Sequence, residues 1–178
     1  MSENKKTVVV YRSATGFTKN YATWLAEELK CDLLEGKKTK ISDLQNYDTI
    51  IYGGGLYAVG ISGIKLITKN YDKWMGKKVI VFAVGASPAR EETTALLRKS
   101  NIPAEIDDQI QFYYLRGGFD YKRLSPFMKL LMNLKKQQVK ASKDKDPDAK
   151  GFLASYEHPL DFTHKKYLKP ILENLGAR

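Results

Sequence analysis

The chain has 178 residues, of which 43% are hydrophobic and 28% charged, a composition that predicts one globular domain over residues 1–178 and excludes a disordered chain. Its single cysteine, Cys31, excludes an internal disulfide, and no segment approaches the roughly 20 apolar residues of a membrane-spanning helix. The 30 Lys and Arg residues against 20 Asp and Glu give a net charge of +10, which is typical of attraction to nucleic acid, an anionic membrane or an acidic partner. We therefore expect a cytoplasmic protein, and its positive charge needs an explanation.

Short β-branched segments alternate along the chain with segments of helical periodicity. Residues 6–12 and 77–84 are almost continuously apolar, as expected of strands that are buried on both faces. In residues 18–30 the apolar side chains recur at the spacing of a helix. The predicted elements, in chain order, are a strand at 6–12, a helix at 18–30, a short strand at 32–35, a strand at 47–53 that stops at a glycine triplet, a helix at 62–74, a strand at 77–84, a helix at 89–100 and a strand at 109–115.

This alternation predicts an α/β fold with a doubly wound, five-stranded parallel sheet. Ligands of such open sheets bind at the carboxyl ends of the strands, near the point where the strand order reverses. The segments that follow the first, third and fourth predicted strands are therefore the candidate functional loops. They are residues 13–18, 53–61 and 85–90.

The first of these loops carries the strongest chemical signal. It contains three hydroxyl groups, on Ser13, Thr15 and Thr18, and it leads directly into a predicted helix. The hydroxyls can donate to phosphate oxygens, Gly16 permits close approach of the backbone, and the amino end of the helix favours an anion. The alternative is that Thr18 only caps the helix, but one hydroxyl is enough for a cap. The pattern favours a phosphate site.

The segment Ser13-Ala14-Thr15-Gly16-Phe17-Thr18 resembles the phosphate loop of flavodoxins, Ser/Thr-x-Thr-Gly-x-Thr, in the same strand–loop–helix setting. The resemblance implies that the cofactor is flavin mononucleotide (FMN) and that this loop holds its phosphate. It also implies that the two later loops flank the flavin ring. Their cofactor-binding residues would be Gly54, Gly55, Leu56 and Tyr57 in the first, and Gly85, Ala86 and Ser87 in the second. Tyr57 would be the aromatic neighbour of the ring; by itself it is an ordinary loop tyrosine.

Shorter motifs are similar to a narrower flavodoxin-domain group that includes bacterial quinone-linked protoporphyrinogen dehydrogenase. They are Ala89-Arg90, the segment 115–121 (LRGGFDY) and the segment 161–163 (DFT). The resemblance adds Arg90, Gly117 and Gly118 to the expected cofactor-binding residues. Arg90 and Arg116 are candidate contacts for a substrate carboxylate or the flavin edge. Members of that group also carry an inserted segment after the fifth strand.

Residues 120–150 form a basic insertion that supplies half of the net charge, with nine Lys and Arg against four acidic residues. Ser125-Pro126 is a favourable helix start, and the apolar residues after it form a stripe. Such a helix can lie on an anionic membrane or accept an acidic redox protein; equally, the stripe can pack on its own domain. Nucleic acid is a poor fit, because residues 129–150 contain no aromatic side chains. The apolar stripe comprises Phe127, Met128, Leu131 and Leu134, with Leu130 beside it.

We interpret the sequence as that of an FMN-dependent oxidoreductase, and the resemblance implies a porphyrinogen donor and a quinone-type acceptor. One alternative is a flavodoxin-type electron carrier that docks acidic redox partners; another is a non-enzymatic module that binds a membrane or an acidic partner. A peripheral location on the inner face of the membrane would suit a quinone acceptor. We assign no general base and no metal site, since His158 and His164 are not spaced as metal ligands.

Overall fold

The computed structural model describes residues 5–141 and 147–177. Its main sheet has five parallel strands, in the order β2-β1-β3-β5-β6, and the short strand β4 pairs antiparallel with the end of β3. A separate two-stranded pair joins β7 to β8. The strands are β1 (Thr7–Arg12), β2 (Asp32–Glu35), β3 (Thr49–Tyr57), β4 (Gly60–Ile61), β5 (Lys78–Gly85), β6 (Ile110–Arg116), β7 (Gly118–Phe119) and β8 (Leu160–Asp161).

The strand order confirms the predicted doubly wound α/β fold of the flavodoxin type. The chain enters the sheet at β1, adds β2 at the near edge, then crosses back over β1 to build β3, β5 and β6 on the other side. Strand order therefore reverses between β1 and β3, which is where such sheets bind ligands. The helices are α1 (Phe17–Leu29), α2 (Lys65–Thr68), α3 (Glu91–Asn101), α4 (Pro126–Ala141), α5 (Pro147–Ala154) and α6 (Lys169–Asn174).

Two hydrophobic clusters sandwich the sheet. Helices α1 and α6 cover one face, where Tyr21, Leu25 and Ile171 pack on alternate residues of β1, β3 and β5. The segments carrying α2 and α3 cover the other face through Ile67 and Leu97. Because each central strand is covered on both sides, its sequence is continuously apolar, as the sequence predicts.

The predicted strand at 47–53 continues beyond the glycines that were expected to end it. Gly54 and Gly55 pair with β5, and β3 ends only at Tyr57. The physical reason is close packing: a side-chain carbon at Gly53 would collide with the ring of Phe82 on the neighbouring strand. These glycines therefore lie in the sheet, where they make room for larger neighbours.

The single helix predicted at 62–74 is two short pieces, α2 and a 3₁₀ turn at Tyr71–Trp74. Gly63 precedes them with a φ of +74°. The indole of Trp74 is fully buried and donates to the carbonyl oxygen of Ile67 at 3.2 Å, which folds the second piece back on the first. Burial of one large aromatic side chain overrides the continuous helical pattern.

The insertion leaves the sheet after β6 and returns to it at β8. Gly118 pairs with Asp161 and Phe119 with Leu160, so the excursion between the two short strands covers residues 120–159. Helix α4 begins at Pro126, directly after Ser125, whose side chain accepts a hydrogen bond from the backbone N–H of Met128 at 3.3 Å. The predicted basic helical insertion is thus present.

Candidate cofactor site

A cavity of about 390 Å³ lies at the carboxyl edge of the sheet, over the ends of β1, β3 and β5. The three loops singled out in the sequence all contribute to its wall. The predicted site residues that line it are Ala14, Thr15, Phe17, Thr18, Gly55, Leu56, Tyr57, Gly85, Ala86, Ser87 and Gly118. Residues from four separate stretches of chain are therefore brought together in one pocket.

The other predicted site residues lie behind or beside this wall. Ser13 accepts a hydrogen bond from the N–H of Gly16 through its Oγ at 3.0 Å, which closes the turn of the first loop. Gly117 donates its N–H to the Gly85 carbonyl at 2.7 Å, so it links two of the loops. Gly54 pairs with β5 inside the sheet, and Arg90 is exposed immediately before α3. Ser13 and Gly117 therefore support the loops, whereas Gly54 and Arg90 lie outside the cavity wall. Gly16, the fifth predicted residue outside this wall, caps α1.

The first loop has the geometry of an anion cradle. Gly16 caps α1 with a φ of +100°, a conformation that favours glycine. The backbone N–H groups of the first turn have no acceptors within a helix, and the helix dipole adds positive potential there. Thr18 is 2% exposed and stands in that first turn, so it is not the capping residue. Its hydroxyl and that of Thr15 both belong to residues of the cavity wall.

Two arginines flank this loop, and the sequence motifs identified neither of them. Arg12, the last residue of β1, lines the cavity; its Nε is buried and has no hydrogen-bond partner among the described residues. Arg123 comes from the insertion and donates from Nη1 to the carbonyl oxygen of Thr15 at 3.1 Å. Its Nε lies 3.2 Å from a carboxylate oxygen of Asp120, which orients the guanidinium. Arg123 therefore brings one cation to the phosphate loop, and Arg12 brings another to the cavity wall.

The second loop forms a tight hairpin whose tip is held by α3. Ala58 adopts a φ of +52° between Tyr57 and the start of β4. The side chain of Asn101 accepts from the N–H of Ile61 at 2.8 Å and donates to the carbonyl oxygen of Val59 at 2.7 Å. Tyr57 remains 40% exposed at the rim, where it can flank a ring bound in the cavity.

Two residues of β6 hold the third loop, residues 85–90, in place. The hydroxyl of Tyr114 donates to the Ser87 carbonyl at 2.8 Å, and burial raises the pKa of this phenol to about 12, so it stays a neutral donor. Arg116 donates from Nε to the Ala86 carbonyl at 3.3 Å and stacks 3.7 Å from the ring of Phe162. Arg116 therefore positions the loop that was expected to border the flavin.

Helix α4 closes one side of the cavity, which the sequence did not predict. Leu124, just before α4, and Met128 and Met132 on it line the pocket. The helix is fastened by the hydroxyl of Tyr156, which donates to the Met132 carbonyl at 2.6 Å, and by that of Tyr121, which donates to Asn133 Oδ1 at 3.0 Å. The insertion thus turns an open cleft into a pocket with an apolar wall.

Comparison with known proteins identifies the family of this chain. A family model described as the flavodoxin domain matches residues 8–146, more than three quarters of the chain. The chain belongs to the flavodoxin domain family. FMN is accordingly its cofactor, and the cavity of this flavodoxin-domain protein fits it, with a cradle and two cations for the phosphate and a part-apolar pocket for the ring. Thr15, Thr18 and the first turn of α1 would hold the phosphate, and Tyr57 and the loop at 85–87 would border the ring.

Several solved structures are similar to part of this chain. A WrbA-like flavodoxin from Agrobacterium tumefaciens is 24% identical, with 61% of this chain and 76% of that chain covered and a TM-score of 0.46. A flavoprotein in complex with FMN from Lactobacillus acidophilus is 19% identical, with coverage of 63% and 92% and a TM-score of 0.45. The Trp repressor binding protein from Bacillus subtilis is 17% identical, with coverage of 63% and 83% and a TM-score of 0.48. No curated protein matches the chain.

Two kinds of feature are absent from the described part of the chain. Within residues 5–141 and 147–177, no three His, Cys, Asp or Glu side chains are grouped so that they could hold a metal ion. None of the helices described in those residues has both the length and the apolar character to cross a bilayer. His164 instead uses its Nδ1 to accept from the N–H of Lys166 at 3.0 Å.

Proposed function

We propose that this flavodoxin-domain protein is an FMN-dependent oxidoreductase that acts on a small molecule. The resemblance of its shorter motifs to quinone-linked protoporphyrinogen dehydrogenase supplies the substrate classes, a porphyrinogen as donor and a quinone as acceptor. A quinone acceptor also favours a peripheral location on the inner face of the membrane. Arg12 and Arg123 are the cations near the pocket that could meet an anionic substrate group as well as the phosphate.

The observation that carries this proposal is the wall that α4 adds to the cavity. Met128 and Met132 stand on a segment that the sheet does not need for its own packing, and their effect is to enclose space beside the flavin loops. A carrier that passes electrons to protein partners needs an accessible flavin edge instead. An apolar wall is what a flat, largely apolar substrate requires, because it excludes water and holds the substrate against the ring.

The chain's own residues then have three tasks. The loop at 13–18 fixes the phosphate, the neutral hydroxyl of Tyr114 holds Ser87 and with it the loop at the ring edge, and α4 shields the substrate from solvent. Bound FMN supplies reversible electron transfer between donor and acceptor.

An electron carrier remains the second candidate, favoured by the charge of the insertion. Residues 121–141 contain six Lys and Arg and no Asp or Glu, which would suit an acidic redox protein. Its turnover would require a protein partner and would fall steeply with ionic strength.

The first test is the absorption spectrum of the purified protein. We expect flavin bands that disappear in Thr15→Asp and in Gly16→Asp, since a carboxylate would repel the phosphate. A colourless protein that cannot be reconstituted with FMN would overturn the proposal and favour a non-enzymatic module.

The second test separates the oxidoreductase from the carrier. We expect the flavin-loaded protein to oxidise protoporphyrinogen with a soluble quinone as acceptor, without any added protein. The variant Met128→Lys, which puts a charge in the apolar wall, should lower this turnover while the flavin bands persist. Turnover only with a redox partner protein would establish the carrier instead.

A further inference from the structure

Helix α4 has two faces with different surroundings. Its inner face carries Met128 and Met132 at the cavity and Lys136 over the ring of Tyr156, with Nζ 4.6 Å from the ring centre. The sequence placed Met128 in one apolar stripe with Phe127, Leu131 and Leu134, but in the structure Met128 lines the cavity. The opposite face is what remains of the predicted apolar stripe.

That opposite face is open to solvent. Phe127 is 67% exposed, Leu130 58%, Leu131 42% and Leu134 50%. Their spacing of i, i+3, i+4 and i+7 puts all four on one line along the helix, which we call the outer stripe. Leaving four large apolar side chains in water along two helical turns is unfavourable and marks an interaction surface. The alternative in which the whole stripe packs on its own domain does not hold for these four.

The segment that carries the outer stripe is strongly basic. Lys129 and Lys140 lie on α4 itself, and Lys122 and Arg123 lie just before it. The segment 121–141 has no acidic residue, so its positive charge is not neutralised within the segment. An exposed apolar line on a basic helix without acidic residues is the pattern of a helix that lies in the plane of an anionic membrane.

We propose that the outer stripe docks α4 on an anionic lipid bilayer, with Phe127, Leu130, Leu131 and Leu134 placed at the boundary between headgroups and acyl chains. A second copy of the chain is a poor occupant, because two such helices would bring like charges together. A lipid surface matches better: it offers negative charge along the whole helix and accepts a straight apolar line without a shaped pocket.

Docking in this way has a geometric consequence for the cavity. Met128 and Met132 lie on the same helix as the outer stripe, so the pocket would be within about one helix diameter, roughly 10 Å, of the lipid headgroups. Three other exposed apolar residues, Tyr57, Val59 and Leu96, line the same pocket. A lipophilic acceptor could then pass from membrane to pocket over a short apolar path. This last step rests on the proposed function, whereas the lipid contact does not.

The test is co-sedimentation of the full, flavin-loaded protein with phosphatidylcholine vesicles prepared with and without phosphatidylglycerol. We expect the anionic vesicles to bind the protein at least about tenfold more tightly, and added salt to weaken that binding. The double variant Leu130→Ser/Leu134→Ser should lose about tenfold or more in partition coefficient. Both side chains are exposed, so the flavin bands should be unchanged.

The matched control is Met75→Ser, which removes an even more exposed apolar side chain, 73% exposed, at the amino edge of the sheet. It should bind vesicles like the parent. Equal partition of the parent and the double variant, or no binding of the parent to anionic vesicles, would overturn the inference. The inference would also be overturned if the parent does not bind vesicles but forms a dimer in sedimentation equilibrium, and the double variant does not form that dimer.

The outcomes also separate this inference from the proposed function. A protein that binds anionic vesicles through the outer stripe but holds no flavin would retain the lipid contact and lose the oxidoreductase. A protein that turns over a soluble quinone but does not bind vesicles would retain the oxidoreductase and lose the lipid contact.

Discussion

Arg123 links the insertion to the phosphate loop. Its guanidinium donates to the Thr15 carbonyl and would lie 3.3 Å from a side-chain carbon placed at Gly16. A phosphate loop of hydroxyls and backbone N–H groups needs no arginine, so this one adds a charge that comes from outside the loop. It also makes the insertion part of the cofactor site.

We expect Arg123→Ala to weaken FMN binding by roughly fivefold, about 1 kcal/mol, since the side chain is largely exposed and its charge is screened. Riboflavin, which lacks the phosphate, should bind the parent and the variant alike. The measurement is titration of the apoprotein with both ligands by flavin fluorescence. Lys122→Ala is the control, as it removes a neighbouring exposed cation. An equal loss for riboflavin and FMN would show that Arg123 acts on the fold of the loop and not on the phosphate.

At the scale of elements, the hairpin of β3 and β4 depends on one side chain of α3. Asn101 makes both a donor and an acceptor contact with the hairpin, and Tyr57 stands at the start of its turn. In Asn101→Ala we expect the free energy of unfolding to fall by about 1–2 kcal/mol and FMN to bind more weakly. Hydrogen exchange at residues 58–61 should accelerate. Asn101→Asp keeps the acceptor for Ile61 and should fall between the parent and the alanine variant; if alanine leaves exchange there unchanged, the hairpin does not need this side chain.

Helix α4 is fastened in the same manner by Tyr156. We expect Tyr156→Phe to remove the hydrogen bond to the Met132 carbonyl, lower the free energy of unfolding by about 1 kcal/mol and speed amide exchange across α4. The flavin bands should stay, because the three loops under the helix keep their own hydrogen bonds. If this variant loses flavin, the three loops depend on how α4 is held, and the prediction is contradicted.

At the scale of the whole molecule, buried phenols limit stability at high pH. Burial raises the pKa of Tyr21 and of Tyr114 to about 12 and raises that of Tyr52, and all three hydroxyls donate to backbone carbonyls. In the unfolded chain a tyrosine loses its proton near pH 10. The folded state therefore binds more protons between about pH 10 and 12, and its stability falls as pH rises through that window.

We expect the free energy of unfolding, measured by urea denaturation, to be lower at about pH 11 than just below pH 10. Tyr114→Phe serves as the check, because it removes one of the three groups. It should lose less stability than the parent between the two pH values. An equal loss would mean that Tyr114 does not contribute to the alkaline transition.

The features of the fold and of the site that depend on short stretches of chain could be predicted from the sequence. The phosphate loop at 13–18 and the apolar strands are local patterns, and the sheet brings their ends together by topology alone. The inward turn of Met128 could not be predicted, because it depends on Tyr156, which lies 24 residues beyond its hydrogen-bond acceptor Met132. Gly53 was misinterpreted for a similar reason, since its role depends on Phe82 on another strand. Arg123 lies 108 residues from its partner Thr15, and no spacing rule connects them.

Because β7 pairs with β8, residues 120–159 form one segment that could be replaced as a unit. Neighbouring strands are about 4.8 Å apart, so both ends of this long excursion are anchored almost at one point of the scaffold. A short turn could bridge Phe119 and Leu160 and leave the five-stranded sheet and its three loops in place. Exchange of this one segment can thus change what the pocket admits and which surface the protein contacts. The loops at 13–18, 53–61 and 85–90 would stay, and only the contribution of Arg123 to the phosphate loop would be exchanged with the segment.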